Sequence, residues 1–87
     1  MIKNLTHYQE TTINRLKIVK RSVEILELFF EIGYRTKQDV YTQLIIHFPK
    51  YNTRSFKEQF RLLWNFKKFE LEMINDLEAV ISKINDL

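Results

Sequence analysis

Residues 55–85 read SFKEQFRLLWNFKKFELEMINDLEAVISKIN, an unbroken run without a glycine or a proline. The run opens with Ser55 and Glu58 at the spacing of a capping box, in which each side chain accepts a hydrogen bond from the backbone N–H at the other end. Apolar side chains then recur at helical spacing. The pattern predicts one long helix that begins between Asn52 and Ser55.

The second half of this predicted helix carries apolar residues in a heptad repeat, which is typical of a coiled-coil seam. The seam consists of Phe66, Met73, Leu77, Val80, Ile84 and Leu87. Glu70 interrupts it. That glutamate is either a device that sets register or oligomeric state, or a side chain at the rim of an open or kinked seam.

The length of the predicted helix constrains the shape of the molecule. A helix from Ser55 to Asn85 is about 46 Å long, whereas a compact chain of this size is about 31 Å across. Either the helix breaks, for which residues 75–78 offer the best cap, or the molecule is elongated. We favour the elongated molecule.

A second long helix is predicted near the start of the chain. Thr6 and Gln9 have capping-box spacing, and Gly33, the only glycine, ends the helix because glycine tolerates the left-handed conformation. Tyr34 can then pack back on Phe29, as in a Schellman motif. The apolar stripe of this helix is Leu16, Val19, Val23, Leu26 and Phe30.

A short helix lies between the two long ones. It begins at Thr36, with Asp39 three residues later, and it ends before Pro49, which disfavours helical geometry at Phe48. Its apolar positions are Val40, Tyr41, Leu44, Ile45 and Phe48. Residues 49–52 form the turn that follows.

The predicted fold is therefore all-α, with two long antiparallel helices bridged by the short one, in a single domain that spans residues 1–87. Its centre resembles a helix–turn–helix. Two long helices leave part of the seam uncovered, so we predict a homodimer that closes a four-helix bundle. Its oligomerisation residues would be Phe66, Met73, Leu77, Val80 and Ile84.

Composition argues against several classes of function. The chain has no cysteine, which excludes a disulfide framework and a thiolate metal site and fits a reducing cytoplasm. No leader pattern opens the sequence, and no apolar run approaches the roughly 20 residues of a membrane span. His7 and His47 lack metal-ligand spacing. We expect a cytoplasmic protein that is not an enzyme, binds no cofactor or metal, and does not enter a membrane.

The charged residues are segregated along the chain, although the net charge is only +3. Residues 35–68 carry eight basic and two acidic side chains, whereas residues 69–87 carry five acidic and one basic. On the predicted third helix, the polar positions share one face. They are Arg54, Lys57, Glu58, Arg61, Asn65 and Lys68.

A short helix, a turn and a helix with a basic outer stripe are the parts of a helix–turn–helix DNA reader. Arginine contacts guanine, asparagine contacts adenine, and lysine neutralises phosphate. The predicted nucleic-acid-binding residues fall into two groups. Arg54, Lys57 and Arg61, with Asn65 among them, would meet bases, and Lys50 and Lys68 would hold phosphates. The chain would then be a small regulator or a mobile-element accessory.

A protein partner is the alternative. The basic stripe would then meet an acidic protein, and the chain would be a helical inhibitor, antitoxin or adaptor. The stripe could equally be a solvated face with no partner. Trp64, which flanks it, is either a core residue or a partner-binding anchor.

Overall fold

The computed structural model describes the backbone of residues 7–86 and the side chains of residues 15–86. Its elements are α1 (His7–Glu31), α2 (Lys37–His47), a 3₁₀ turn (Pro49–Tyr51), α3 (Arg54–Phe66) and α4 (Leu71–Asn85). No strand occurs among residues 7–86, so the prediction of an all-α chain is confirmed. The capping box predicted at Thr6 lies outside the described residues.

The end of α1 forms as the sequence predicts. Gly33 has a φ of 104°, a conformation that costs glycine little. The Tyr34 N–H donates to the Phe29 carbonyl oxygen at 2.8 Å, and the two rings meet edge to face with centroids 6.3 Å apart. This is the hydrogen bond and the apolar contact of a Schellman motif.

Capping side chains fix the starts of α2 and α3. At α2 the Asp39 N–H donates to the Thr36 hydroxyl at 3.1 Å, and the Asp39 carboxylate accepts from the Thr36 N–H, which completes a capping box. At α3 the cap is Thr53, whose hydroxyl accepts from the Phe56 N–H at 3.1 Å. The helix therefore begins inside the predicted interval, but Ser55 is not its cap.

The prediction of one continuous third helix is wrong, because the chain turns between α3 and α4. Lys67 adopts a left-handed conformation with a φ of 54°, and the Lys68 N–H donates back to the Leu63 carbonyl oxygen at 3.1 Å. Glu70 directly precedes α4, so the interruption of the heptad marks the break. The alternative break at residues 75–78 is also wrong, since these residues lie within α4.

The core lies around α4, which folds back and packs on both α1 and α2, while α3 packs on α2. The elongated arrangement is therefore not supported. An ion pair of 2.6 Å between Arg21 and Glu78 joins α1 to α4 at the surface. The buried apolar side chains are Ile25, Phe29, Val40, Tyr41, Leu44, Tyr51, Phe60, Phe69, Met73, Ile74, Leu77, Val80 and Ile81.

This packing occupies the seam that the sequence assigned to a homodimer. Met73, Leu77 and Val80 are buried in the core of their own chain. Ile84 is half-buried against that core, whereas the Phe66 side chain is 76% exposed on α3. A dimer through these five residues is therefore not supported. Leu87, the last seam position, lies outside the described residues.

The buried face of α1 also differs from the apolar stripe read from the sequence. Ser22, Ile25 and Phe29 face the core. Of the predicted stripe, Leu16 is 65% exposed and Phe30 is 52% exposed. The helix thus has a second apolar face, of which Leu26 packs partly against the core while the other members are more exposed.

The left-handed backbone at Lys67 predicts which of two substitutions there gives the more stable protein. A left-handed conformation costs a residue with a side chain about 1–2 kcal/mol and costs glycine little. We expect Lys67→Gly to be more stable than Lys67→Ala by about 1 kcal/mol in urea unfolding. Both variants lose the same lysine side chain, including its contact with Trp64, so their difference isolates the backbone. In a continuous helix, alanine would instead be the more stable by about 1 kcal/mol.

Candidate nucleic-acid interface

The 3₁₀ turn between α2 and α3 is held rigidly from both sides. The buried Tyr41 hydroxyl, on α2, donates to the Tyr51 carbonyl oxygen at 2.5 Å. The Tyr51 hydroxyl donates in turn to the Asp76 carboxylate of α4 at 2.5 Å. Burial, followed by this hydrogen bond, raises the pKa of Tyr51 above its ordinary value, so the phenol stays protonated as a donor.

Aromatic packing fixes the angle between α2 and α3. The Phe60 ring, buried on the inner face of α3, lies 5.2 Å from the Tyr41 ring of α2. It also stacks on Phe69, which follows α3, at a centroid distance of 5.5 Å. These contacts hold the inner face of α3 against α2 and leave its outer face exposed.

The outer face of α3 and the first turn of α2 enclose a basic cleft of about 310 Å³. Four basic side chains and one acidic side chain line it. They are Lys37 of α2 and Arg54, Lys57, Glu58 and Arg61 of α3. The structure thus brings together three of the predicted nucleic-acid-binding residues and adds Lys37, which the sequence placed in the basic segment but not in the site.

Unlike Arg54 and Lys57, Arg61 forms an ion pair with a carboxylate of its own helix. Its guanidinium donates from Nε to the Glu58 carboxylate at 3.1 Å and makes a second contact to the same oxygen through Nη2. This hydrogen bonding lowers the pKa of Glu58. A phosphate or base that binds Arg61 must therefore compete with Glu58.

The remaining predicted residues lie away from the cleft. Asn65 is exposed in the last turn of α3, and Lys68 is exposed in the segment before α4. Lys50 pairs with Glu72 at 2.8 Å and with Asp76 at 3.2 Å, and these hydrogen bonds raise its pKa. Its geometry is that of a tie between the 3₁₀ turn and α4, not of a phosphate contact.

A second surface feature is an apolar groove of about 460 Å³ between α1 and the end of α3. Its apolar lining is Val23, Leu26, Phe30, Tyr34 and Trp64, and its charged rim is Glu27, Glu31, Arg35 and Lys67. Trp64 is half-buried, so one part of its ring packs on the core and another faces the groove.

His47 does not line the cleft or the groove. The side chain of His7 lies outside the described residues, and His47 is the last residue of α2. Within the described part of the chain, no three acidic or histidine side chains come together as a metal site. None of the described helices combines the length and apolar character needed to cross a membrane.

Comparison with protein-family models, with curated proteins and with solved structures finds no match to this chain.

Proposed function

We propose that this chain binds duplex DNA, with α3 in the major groove and the first turn of α2 against the phosphate backbone. The observation that carries the proposal is the basic cleft, which gathers Lys37, Arg54 and Lys57 on one face of the helix–turn–helix unit. In such units the first residues of the second helix meet base edges, while the first helix crosses the backbone.

The positions of these basic residues favour a ligand over a role in helix stability. Lys37 is the first residue of α2 and Arg54 is the first residue of α3. A positive charge at a helix N-terminus opposes the helix dipole, so these residues weaken their own helices slightly. Among the described side chains, Lys37, Arg54 and Lys57 have no carboxylate within 4.0 Å. An anion bound in the cleft would satisfy all three.

The roles follow from position. Arg54 and Lys57 are the base readers, since they lie in the first turns of α3. Lys37 and Lys68 contact phosphates on either side. Arg61 contacts DNA once its guanidinium leaves the Glu58 carboxylate, whereas Lys50 supports the 3₁₀ turn between α2 and α3. Dimers of such units bind half-sites about 34 Å apart, so a homodimer is part of the proposal, with an interface other than α4.

The test is duplex binding by fluorescence anisotropy at several salt concentrations. Arg54→Ala should weaken binding roughly 5- to 150-fold, equivalent to about 1–3 kcal/mol, and relax sequence preference. Lys68→Ala should weaken all sequences alike and reduce the slope of log affinity on log salt by about one. Lys83→Ala removes an exposed charge on α4, away from the cleft, and is the matched control.

Glu58→Gln is expected to change DNA affinity in the opposite direction at the same cleft. It removes the one carboxylate that lines the cleft and releases Arg61, so DNA affinity should rise roughly two- to tenfold at low salt. If Arg54→Ala and Glu58→Gln both bind DNA like the parent chain, α3 does not enter the groove. If the parent chain does not bind DNA at low salt, the proposal fails.

A protein-binding module is the second candidate function, and the apolar groove favours it. Half-buried tryptophans with a polar rim are frequent anchors of protein interfaces, and Trp64 has this setting. In that case the basic cleft would meet an acidic protein. Arg54→Ala would then weaken capture of that partner and leave DNA affinity unchanged.

A further inference from the structure

The second apolar face of α1 has the spacing of a helix-pairing seam. Leu16, Val19, Val23, Leu26 and Phe30 are separated by three, four, three and four residues. On a helix this spacing gives a narrow stripe, about 21 Å long, that matches a and d positions of a coiled coil. Four of its members are partly exposed, with Val19 36% and Val23 38% exposed, whereas Leu26 is half-buried against the core.

The charges of α1 are divided about the middle of this stripe. The half nearer the N-terminus carries Arg15, Lys17, Lys20 and Arg21, and the half nearer the C-terminus carries Glu24, Glu27 and Glu31. The helix dipole disfavours an acidic residue in the last turn, where Glu31 lies. A cation from outside α1 would relieve this unfavourable contact.

Contacts within the chain account for Arg21, which pairs with Glu78 of α4, but not for the order of the other charges. Lys20 approaches Glu24 only at 4.0 Å, with both side chains more than half exposed, and such a pair contributes little. Among the described residues, Glu27 and Glu31 lie at the rim of the apolar groove without an ion pair. Two carboxylates are thus placed beside an apolar surface that is only partly covered in a single chain, by Arg35 over the Phe30 ring at 4.5 Å and by Lys67 over the Trp64 ring at 4.7 Å.

We propose that two copies of this chain pair antiparallel through the second apolar face of α1. Leu16 and Val19 of each copy would enter the apolar groove of the other, beside Phe30 and Trp64. Near the two-fold axis, Val23 would pack on Leu26 of the second copy. Both copies contribute the same residues to the interface, as a two-fold symmetric interface requires.

Charge selects the antiparallel orientation. In that orientation the basic half of α1 lies along the acidic half of the second copy, and Lys20 comes alongside Glu27 of the second copy. The two helix dipoles also oppose each other favourably. A parallel pair would place like charges together over the whole stripe, which raises the free energy of association.

Sedimentation in DNA-free buffer over about 1–200 µM tests the pairing independently of the proposed DNA binding. We expect a dimer at tens of micromolar, a range ordinary for a small interface. Val23→Glu should make the chain monomeric, since it buries an unpaired charge at the axis. Leu28→Glu is the matched control, because Leu28 is also partly exposed on α1 but lines a different cleft, against α4.

Surface charge exchanges test the orientation without touching apolar residues. Lys20→Glu and Glu27→Lys should each weaken the dimer roughly 3- to 10-fold, and the double exchange in one chain should restore it. Because the chain has no cysteine, Lys20→Cys and Glu27→Cys variants can be mixed and joined with a short bifunctional maleimide without background.

Crosslinking should join position 20 of one copy to position 27 of the other. A parent chain that is monomeric at 200 µM overturns the pairing, as does a dimer that Val23→Glu leaves intact. Crosslinks that join position 20 to position 20 in preference overturn the antiparallel orientation. A monomeric chain that still binds DNA would leave the proposed DNA contacts of α3 standing and remove the homodimer.

Discussion

Replacing Phe60 with alanine is expected to lower the free energy of unfolding by about 3–5 kcal/mol. Phe60 is 1% exposed and its ring contacts three other aromatic rings, those of Tyr41, Trp64 and Phe69. Truncation removes the transfer free energy of the ring and leaves a cavity between α2, α3 and the start of α4. A domain of this size has only about 4–13 kcal/mol in total, so a large part of its stability would be lost.

Phe66→Ala is the matched control, since it makes the same change on the same helix at a side chain that is 76% exposed. We expect its effect to stay within about 0.5 kcal/mol. Urea unfolding followed both by helical circular dichroism and by Trp64 fluorescence measures the two variants. Equal effects of the two substitutions would contradict the packing of α3 described here. A loss of self-association in Phe66→Ala would restore the seam predicted from the sequence.

Helix ends whose signals are local could be predicted from the sequence. Gly33 with Tyr34 ends α1, and Thr36 with Asp39 begins α2, because the residues that satisfy each end lie within five positions of one another. The identity of the α3 cap was missed, since Thr53 and Ser55 are both suitable caps at neighbouring positions.

The break between α3 and α4 could not be predicted from local preference. No glycine or proline marks it, and Lys67 takes the left-handed conformation at an energetic cost. The heptad spacing continues across the break because Phe66 and Met73 happen to keep the period. Glu70 was the one local sign. The energetic cost of the break is offset by the burial of Phe69 and by its hydrogen bond to Ser22 of α1. Ser22 lies 47 positions earlier in the sequence.

The sequence also could not predict which face of α1 packs inside the chain. Both stripes have helical spacing, and the one that is apolar at every position is the more exposed. The choice depends on where α4 lies, and α4 is displaced by the unpredicted break. A serine at the centre of the buried stripe, Ser22, made that stripe look polar although its hydroxyl is fully satisfied.

The candidate site was predicted in part. Exposure of Arg54, Lys57 and Arg61 follows from their shared helical face, and the structure confirms it. The pair formed by Glu58 and Arg61 has i, i+3 spacing and could have been recognised as a local contact. The ties of Lys50 to α4 required the tertiary fold, because they join residues 22 positions or more apart.

Ser22→Ala is expected to destabilise the fold by about 1–3 kcal/mol, although serine and alanine differ by a single oxygen atom. The Ser22 hydroxyl is fully buried, donates to the Ile18 carbonyl oxygen at 2.8 Å and accepts from the Phe69 N–H at 2.9 Å. The first bond is replaceable, since that carbonyl remains part of α1. The second is not, because Phe69 lies between α3 and α4 and its N–H donates to no backbone carbonyl among the described residues.

The substitution therefore destabilises the turn between α3 and α4 in particular. Alanine leaves the Phe69 N–H buried without an acceptor, and the higher helix propensity of alanine offsets only about 0.5 kcal/mol of that penalty. Ser82→Ala, at an exposed serine of α4, is the matched control and should be neutral or slightly stabilising. Urea unfolding gives the two free energies, and amide hydrogen exchange reports the Phe69 N–H directly. Its protection should fall in Ser22→Ala by more than the global loss of stability accounts for, and unchanged protection there would show that the Ser22 hydroxyl does not hold the turn between α3 and α4.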